Sequence, residues 1–281
     1  MISSNTIKIK AAITAVGGFV PEDFISNKDL EKMVDTNDEW ITARTGIKKR
    51  RILKAKGKAT SYLAIKAAKD LLKRNDIDPK NIDLVILATI TPDFHVSSTA
   101  PTVASEINAI NAYAFDINAA CSGFLYGMST ATSYIESGRY KKVLLIGADM
   151  MSSIVDYTDR STSILFGDGA GAVLVEPSIN EFGWEDEYLR SDGIGAEWLK
   201  IKSGGSLYPT SKESFDNKWH YITQEGKTVF KSAVSGMAKA TEQIIIRNNL
   251  NPKEIKYLLP HQANKRIIDA TAEKINLDKN K

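Results

Sequence analysis

Apolar residues in the first half of the chain follow two spacings, which predict helices and buried strands in alternation. Between residues 61 and 72 they recur every three or four positions, as in an amphipathic helix. After a turn at Asp78-Pro79, the continuous apolar run 84–87 is typical of a strand covered on both faces. This alternation indicates an α/β fold. The same pattern predicts a helix at 99–109, a strand at 113–118, a helix at 124–136, a strand at 143–146, and a hairpin of strands 163–166 and 172–175.

The helix–turn–strand pattern returns in the second half of the chain. A helical spacing over 229–245 leads to a turn at Asn251-Pro252 and a strand-like run at 257–259. At an offset of 173 residues, segment 74–82 aligns with 247–255, with arginine, asparagine, proline, lysine and isoleucine identical. This similarity predicts an internal duplication, although chance convergence of two common α/β units is the alternative.

The duplication divides the chain into two predicted halves, residues 1–176 and residues 177–281. The first half is predicted to carry the cysteine strand and helix, and the second to carry His261. When the offset is applied to Cys121, the equivalent position falls beyond the last residue. We therefore expect the second half to be incomplete at its C-terminal end.

Composition excludes several classes of protein. With 281 residues, 43% hydrophobic and 25% charged, the chain is typical of a globular protein. No apolar run approaches the roughly 20 residues that span a bilayer, and residues 1–5 lack the start of a signal peptide, so we expect a cytoplasmic protein. The net charge of +3 gives no general attraction to nucleic acid or membranes. One cysteine and three scattered histidines exclude an intrachain disulfide and disfavour a zinc site.

The single cysteine, Cys121, lies where the predicted strand 113–118 gives way to the predicted helix 124–136. Unpaired backbone N–H groups at a helix start favour a thiolate, so we expect a lowered thiol pKa and a nucleophile. The alternative is a small buried apolar residue. The glycine run at 167–171 is not predicted to bind phosphate, because a β-branched strand rather than a helix follows it.

His261 is the one histidine in a suggestive context. It follows the strand-like run 257–259 and precedes a helical pattern, and in the duplication it aligns with Ala88 at the end of the first buried strand. Ligands of open α/β sheets collect at the carboxyl ends of strands. We therefore treat His261 as a candidate catalytic residue, with a solvent-facing side chain as the alternative.

Six segments together resemble one enzyme family, β-ketoacyl-acyl-carrier-protein synthase III of the thiolase-fold superfamily. They occur in the family's order over nearly the whole chain. The segments are VDTNDEWI (34–41), RTGI (44–47), AACSGF (119–124), YTDR (157–160), FGDGAG (166–171) and LPHQAN (259–264).

The resemblance implies a fold, an assembly and a reaction. The fold is a thiolase-like α/β architecture of two duplicated βαβαβ-type halves in a five-layer αβαβα arrangement, and the assembly is a homodimer. The reaction is an acyl transfer from acyl-CoA to the enzyme cysteine. Decarboxylative condensation with malonyl-acyl-carrier protein then gives 3-oxoacyl-acyl-carrier protein and initiates type II fatty-acid biosynthesis. The family needs no metal and no cofactor, since CoA thioester is a substrate.

The family's catalytic residues carry over to Cys121 as the nucleophile and to His261 as a hydrogen-bond donor to the enolate. The family's second oxyanion residue, an asparagine in an Asn-Thr or Asn-Ser segment beyond the histidine motif, has no counterpart here, and Asn264 is not that residue. Two alternatives therefore stay open: a related condensing enzyme of secondary metabolism, and a truncated chain that does not condense.

The resemblance also implies the substrate surfaces. The coenzyme A site would comprise Thr36, Trp40, Arg44 and Arg160, and Ser97 would stand where acetyl-selective relatives carry a bulky aromatic residue, which leaves room for longer or branched primers. The surface that docks the acyl-carrier protein would comprise Lys231, Gln262, Ala263, Asn264, Lys265 and Arg266.

Overall fold

The computed structural model describes residues 9–180 and 182–278. Residues 1–5, on which the signal-peptide prediction rests, lie outside that part. The chain forms two compact units, each built from several segments. Unit 1 comprises residues 1–23, 51–150 and 168–185, and unit 2 comprises residues 24–50, 151–167 and 186–281. No helix among the described residues is both long enough and apolar enough to cross a membrane.

The strands assigned within the described residues are β1 (Ala11–Phe19), β2 (Phe24–Ser26), β3 (Lys49–Arg51), β4 (Leu84–Ala88), β5 (Tyr113–Ile117), β6 (Val143–Met150), β7 (Asp168–Pro177), β8 (Leu199–Ile201) and β9 (Ile222–Gln224). The helices are α1 (Asn27–Leu30), α2 (Asp38–Thr45), α3 (Thr60–Arg74), α4 (Thr99–Glu106), α5 (Gly123–Glu136), α6 (Arg160–Ser163), α7 (Lys212–Asp216), α8 (Gly226–Arg247) and α9 (Lys265–Lys274).

Unit 1 is built on a five-stranded sheet in the order β1-β7-β6-β4-β5. Strands β5, β4 and β6 run parallel, so their carboxyl ends meet at one edge of the sheet. Strand β7 pairs antiparallel with β6, and β1 pairs antiparallel with β7. All five residues of β4 are buried, which confirms the prediction from its continuous apolar run. Apolar residues of α3 and α4 cover one face, and those of α5 cover the other.

Unit 2 contains the short strand pairs β2-β3 and β8-β9 together with α1, α2 and α6 to α9. One apolar cluster of unit 2 surrounds Leu30 and Ile41, which are fully buried beside Ile164. Helix α8 is less covered, since Ala238 is its one buried residue. A second apolar cluster joins Ala238 to Ile275 and Leu277 at the end of α9.

The turn that ends α3 has the same geometry as the turn that ends α8. Asp76 and Asn249, which are equivalent in the predicted duplication, both take left-handed backbone conformations, with φ of 50° and 49°. Immediately before them, Asn75 and Asn248 donate side-chain hydrogen bonds to the carbonyl four residues earlier, at 2.8 and 2.9 Å. The sequence similarity thus corresponds to a repeated local structure.

The repeated geometry extends to the turn's second half. The side chains of Asp78 and Asn251 each accept from the backbone N–H two residues later, at 2.9 and 3.0 Å.

The predicted division of the chain at residue 176 separates two copies of a duplicated sequence, whereas the two compact units are defined by which residues pack together. That boundary therefore stays a prediction.

The predicted hairpin of strands 163–166 and 172–175 is wrong. Helix α6 ends at Ser163, and Asp168–Pro177 is one continuous strand that includes most of the glycine run. The glycines favoured a turn, but Gly169 and Gly171 pair in register with Asp149 and Gly147 of β6. The prediction that the run leads into a strand and not into a helix is confirmed.

The predicted strand at 257–259 is also not formed. Its apolar residues resemble those of β4, but Leu259 is 89% exposed and Tyr257 is 64% exposed. A strand needs a neighbour to receive its backbone hydrogen bonds, and none of the strands among the described residues pairs with this segment. The apolar pattern predicted the wrong structure, because the sequence of one segment does not show whether a neighbouring strand will pair with it.

Gly17 permits the contact between β1 and α3. A Cβ atom at Gly17 would lie 2.5 Å from the backbone nitrogen of Leu71 and 2.7 Å from the carbonyl oxygen of Ala67. At the next residue, Gly18, a Cβ atom would lie 3.5 Å from the carbonyl oxygen of Ala170, which is an ordinary contact. Glycine is therefore required at the first position and not at the second.

We expect Gly17→Ala to lower the free energy of unfolding by about 2–3 kcal/mol, because the helix backbone must move to admit the methyl group. Gly18→Ala, the matched control in the same strand, should change it by less than about 1 kcal/mol. Urea unfolding followed by tryptophan fluorescence measures both values. Equal losses in the two variants would contradict this account of the contact.

Candidate active site

Cys121 lies on a sharp connection between β5 and α5. After β5 ends at Ile117, residues Ala120–Ser122 form one turn of 3-10 helix, and α5 begins at Gly123. Ala120 takes a left-handed conformation with φ of 46°, which costs an alanine about 1–2 kcal/mol. This strained residue directly precedes the sulfur-bearing one, and nothing in the sequence pattern indicated it. The predicted strand-to-helix position of Cys121 is confirmed.

The start of α5 packs against the carboxyl ends of β4 and β6. A Cβ atom at Gly123 would lie 3.2 Å from the Cβ of Ala88, the last residue of β4. One at Gly147 of β6 would lie 3.8 Å from the ring of Phe124. Small residues on both sides of this contact let the helix start approach the sheet closely, which fixes where the chain presents Cys121.

The Cys121 thiol is solvent-accessible, but its surroundings do not favour the thiolate. Burial by the surrounding protein raises the thiol pKa above its ordinary value, and the charge of Asp149 raises it further. The Cys121 backbone N–H lowers it by less. The expectation of a lowered pKa is therefore wrong in direction, because the argument from the helix start omitted both the loss of water and the nearby carboxylate.

Asp149, the residue that sequence reasoning missed, lies near the carboxyl end of β6. Its Oδ1 atom accepts from the backbone N–H groups of Ile90 and Thr91 at 2.8 and 3.2 Å, and from the hydroxyls of Thr89 and Thr91 at 2.9 and 3.0 Å. Burial nevertheless raises the carboxyl pKa. A charged residue that ends the apolar run 143–148 was the available signal, since functional side chains gather at this edge of a parallel sheet.

His261 lies in unit 2, in the segment before α9. That helix is capped by Asn264, whose side chain accepts from the N–H of Ile267 at 3.0 Å, as a helix start at this position predicts. Loss of water around the imidazole lowers the His261 pKa, so the ring is neutral at neutral pH. A neutral imidazole has one N–H donor and one acceptor nitrogen.

Trp40, Arg44 and Arg160 come together in unit 2, as the predicted coenzyme A site requires. The guanidinium carbons of Arg44 and Arg160 lie 4.8 and 5.0 Å from the centroid of a Trp40 ring. Arg160 is held there by a hydrogen bond of 2.8 Å to the carbonyl of Asp35. Trp40 and Arg44 are four residues apart on α2, whereas Arg160 is distant in sequence and is brought to them by the fold of unit 2.

Thr36 is placed differently from its three predicted partners. Its hydroxyl oxygen is buried and has no hydrogen-bond partner among the described residues. A buried hydroxyl without a partner costs free energy of about 1–3 kcal/mol. The hydroxyl lies beside the first turn of the helix that carries Trp40.

A buried arginine holds the elements of this site together. The Arg50 guanidinium donates to the carbonyl of Ile164 at 2.8 and 2.5 Å and to Oδ1 of Asn27 at 2.6 Å. Asn27 in turn donates to the side chain of Asp38 at 2.6 Å, at the start of the helix that carries Trp40. Burial lowers the Arg50 pKa to about 10, which leaves the group charged at neutral pH. It therefore joins the α6 segment, which begins with Arg160, to α2.

The residues of the predicted carrier-docking surface also lie near one another in unit 2. The Arg266 guanidinium lies 5.6 Å from the ring of Phe230, the neighbour of Lys231 in α8. Lys265 forms an ion pair with Asp269 at 2.6 Å, and Gln262, Lys265, Arg266 and Lys231 are exposed. The docking role itself stays a prediction.

Gly46 brings the two predicted surfaces next to each other. It ends α2 in a left-handed conformation with φ of 74°, and a Cβ atom there would lie 3.0 Å from the Cβ of Lys265. The helix that carries Trp40 and Arg44 therefore ends against the start of α9. Both the backbone angle and the close approach require glycine.

Ser97 is exposed in the loop 92–98, where Phe94 and Val96 are also exposed. The structure thus places it on a surface of unit 1, and its role in primer selection stays a prediction. Within the part of the chain that the structure describes, no three His, Cys, Asp or Glu side chains cluster in a way that could hold a metal ion.

Comparison with known proteins identifies the family. The "Beta-ketoacyl-[acyl-carrier-protein] synthase III" of Chlorobium chlorochromatii is 55% identical to this chain over 275 residues, which cover 97% of the chain and 84% of that protein. The chain belongs to the β-ketoacyl-acyl-carrier-protein synthase III family. The family model for 3-oxoacyl-[acyl-carrier-protein] synthase III matches residues 115–193, and the model for its C-terminal part matches residues 245–281.

Solved structures of synthase III proteins have the same fold. The Aquifex aeolicus enzyme is 42% identical, with a TM-score of 0.80 over 96% of this chain and 82% of that one. The enzyme from Pseudomonas aeruginosa is 35% identical, with a TM-score of 0.87 and the same coverage. These matches confirm the predicted thiolase-like α/β fold.

The family membership establishes the class of activity. The protein is an acyltransferase of fatty-acid biosynthesis, a condensing enzyme of the synthase III type. Relatives that are 51–55% identical over nearly all of the chain are named synthase III, so the alternative of a secondary-metabolite enzyme is not favoured.

Proposed function

We propose that this synthase III transfers an acyl group from acyl-CoA to Cys121 and then condenses it with malonyl-acyl-carrier protein. The observation that supports this most strongly is the position of Cys121, which is presented at the start of α5 where three parallel strands end. The proposal assigns the acyl transfer to unit 1 residues around the sulfur and the activation of malonyl to His261.

In the first half-reaction the Cys121 sulfur attacks the thioester carbonyl of acyl-CoA. A carbon–sulfur bond to the enzyme forms, the bond to coenzyme A breaks, and the proton lost by Cys121 leaves with the coenzyme A thiol. The Cys121 backbone N–H stabilises the oxyanion between these events. Because the thiol pKa is raised, little thiolate is present before substrate binds.

The adenine of coenzyme A binds between Trp40 and Arg160, Arg44 pairs with the phosphates, and Thr36 supplies the unpaired hydroxyl. At 5.0 Å, Arg160 and Trp40 are in direct contact, whereas a planar base between them needs about 7 Å, twice the separation of stacked carbon atoms. Binding of the adenine between these groups therefore requires Arg160 to move away from the indole.

In the second half-reaction His261 acts as a neutral hydrogen-bond donor. Loss of carbon dioxide from the malonyl group leaves an enolate, whose oxygen accepts the imidazole N–H. The enolate carbon then attacks the acyl-cysteine carbonyl, the carbon–sulfur bond to Cys121 breaks, and the released thiolate takes a proton from water to restore the thiol. The lowered His261 pKa suits this role, because the ring stays neutral throughout the neutral pH range.

The surroundings of the reaction follow from the family. The acidic carrier protein docks on Lys231, Gln262, Ala263, Asn264, Lys265 and Arg266, beside the helix that holds the coenzyme A site, so both pantetheine thioesters arrive at neighbouring surfaces. The enzyme works as a cytoplasmic homodimer without a cofactor. Ser97 leaves space for branched or longer primers.

We expect incubation with radiolabelled acyl-CoA to label the protein on Cys121, since this is its only cysteine. Tryptic mapping of denatured protein should place the label on the peptide that contains residue 121, and hydroxylamine should release it as expected for a thioester. Cys121→Ser serves as the control that keeps the local shape. Label that persists in this variant, or no label on the wild type, would refute the proposed nucleophile.

We expect Trp40→Ala and Arg160→Ala to raise the KM for acyl-CoA about tenfold, because stacking on an aromatic ring contributes about 1–3 kcal/mol. The acylation rate at saturating substrate should change less than about twofold, since neither residue acts on the sulfur. Arg139→Ala, at an exposed arginine beyond α5, is the matched control. An unchanged KM in both site variants would contradict the assigned coenzyme A site.

A further inference from the structure

The chain that leads from β6 to Arg160 is held at both ends by strand β9. This connection forms no strand among the described residues, and helix α6 begins only at Arg160. The Ile222 N–H donates to the carbonyl of Ile154 at 2.8 Å. Beyond Arg160, the side-chain amide of Gln224 donates to the carbonyl of Ser161 at 2.6 Å. Whatever fixes the residues between these two points therefore decides where Arg160 lies.

Lys218 fixes the middle of this connection. Its Nζ atom donates to Oδ2 of Asp156 at 2.8 Å and to the hydroxyl of Thr158 at 2.7 Å. Oδ1 of the same carboxylate accepts from the Thr158 N–H at 2.8 Å and from its hydroxyl at 2.7 Å. The side chain of Asp156 is 15% exposed, so water screens this ion pair less than it screens a fully exposed one. The ammonium thus closes a turn that ends two residues before Arg160.

The backbone of Lys218 is itself held in place, just after helix α7. Its N–H donates to the carbonyl of Phe215 at 3.0 Å, and its carbonyl accepts from the N–H of Tyr221 at 3.2 Å. The next residue, Trp219, donates its N–H to the carbonyl of Ser214 at 2.9 Å. The ammonium is therefore presented from a fixed point of unit 2, so it can constrain the turn at Thr158.

Lysine is an unusual residue for this place in the backbone. Lys218 takes a left-handed conformation, with φ of 57°, at the end of α7. Helices α3, α4, α8 and α9 end in the same conformation, and there the left-handed residues are Asp76, Asn108, Asn249 and Asn276. Aspartate and asparagine adopt it more readily than lysine does. The helix end by itself would therefore favour asparagine at residue 218.

The strain at Lys218 has a parallel beside the proposed nucleophile. In the described part of the chain, Ala120 and Lys218 are the two residues with positive φ that are neither glycine, asparagine nor aspartate. Ala120 directly precedes Cys121. Backbone strain of this kind gathers at functional sites, where the surrounding structure enforces it. What lysine adds over asparagine at residue 218 is the reach to Asp156.

We propose that Lys218 is a positioning residue of the coenzyme A site, which fixes the turn of Asp156 and Thr158 and thereby holds the Cα of Arg160 beside Trp40. This inference rests on the proposed binding of coenzyme A at Trp40 and Arg160, and it adds a residue that acts through Arg160. Lys218 lies outside the six segments that carry the family resemblance, so those segments did not indicate it.

A fixed turn suits the movement that coenzyme A requires of Arg160. The guanidinium rests 5.0 Å from the centroid of a Trp40 ring and donates to the carbonyl of Asp35, so an entering adenine must displace it. Because Lys218 holds the turn, the Cα of Arg160 stays in place and the side chain alone rotates. The guanidinium then closes over the adenine without a rearrangement of the chain.

We expect Lys218→Asn to raise the KM for acetyl-CoA about threefold, measured on the full chain as acylation of Cys121 by the radiolabelled substrate. The rise should be smaller than for Arg160→Ala, because the guanidinium is retained and only its anchor is lost. The acylation rate at saturating acetyl-CoA should change less than about twofold. Asparagine suits the left-handed backbone but is too short to reach Asp156, so the thermal unfolding midpoint should not fall.

Acetyl-pantetheine separates the positioning of Arg160 from a general disturbance of the enzyme. It carries the same thioester as acetyl-CoA but lacks the nucleotide that Trp40 and Arg160 are proposed to bind. Its KM should be the same in the wild type and in Lys218→Asn. An equal rise in the KM for both substrates would overturn the proposal.

Further variants isolate the ion pair. Lys218→Arg retains the charge and the reach, and should restore the wild-type KM for acetyl-CoA. Asp156→Asn breaks the same pair from the other side and should reproduce the effect of Lys218→Asn, and the double variant should have no larger effect than either single one. Lys212→Asn, which removes an ion pair with Asp216 inside α7, is the matched control and should leave the KM unchanged.

The outcomes separate this inference from the proposed coenzyme A site. If Arg160→Ala leaves the KM for acetyl-CoA unchanged, the site itself is wrong and the inference falls with it. If Arg160→Ala raises the KM while folded Lys218→Asn and Asp156→Asn do not, the inference alone is overturned. Should Lys218→Asn lose its near-ultraviolet circular dichroism signal, Asp156→Asn supplies the measurement. A KM that rises for acetyl-CoA alone and returns in Lys218→Arg supports the role of Lys218.

Discussion

The parallel pairing of β5, β4 and β6 is the constraint on which the unit 1 site depends. Leu84 of β4 pairs in register with Tyr113 of β5 and with Val143 of β6, so the three carboxyl ends lie side by side. Two parallel strands cannot be joined by a tight turn, so the chain leaves each strand at that edge through a longer connection. One of these connections presents Cys121, and the residues that follow β4 form the corner that holds Asp149.

Small residues turn this topology into a site. Gly123 and Gly147 let α5 begin close to the sheet, and the left-handed Ala120 turns the chain into it. In unit 2 a buried charge has the corresponding effect, because Arg50 joins the segment of Arg160 to that of Trp40 through neutral acceptors. The unit 1 site is therefore held by close backbone approach at Gly123 and Gly147, and the unit 2 site by the hydrogen bonds of Arg50.

The sequence predicted the elements of unit 1 well because their patterns are local. The apolar run of β4 and the helical spacing of α3 each reflect the burial of one segment, and the structure confirms both. Predictions failed where partners decide the outcome: the glycines before residue 172 lie in a strand because β6 pairs with them, and 257–259 lacks a paired strand. The predicted direction of the Cys121 pKa shift was wrong for the same reason, since neither the burial of the thiol, which is the larger cause, nor the charge of Asp149 can be read from the residues next to Cys121.

In the proposed mechanism the Cys121 sulfur carries the acyl group and the His261 imidazole stabilises the enolate, so the two residues serve different half-reactions. The most direct test compares both half-reactions in His261→Ala. Release of carbon dioxide from malonyl-acyl-carrier protein should fall about 100-fold, as for loss of one oxyanion donor, while acylation of Cys121 by acyl-CoA should change less than about twofold. Equal losses in the two half-reactions, or undiminished decarboxylation, would contradict it.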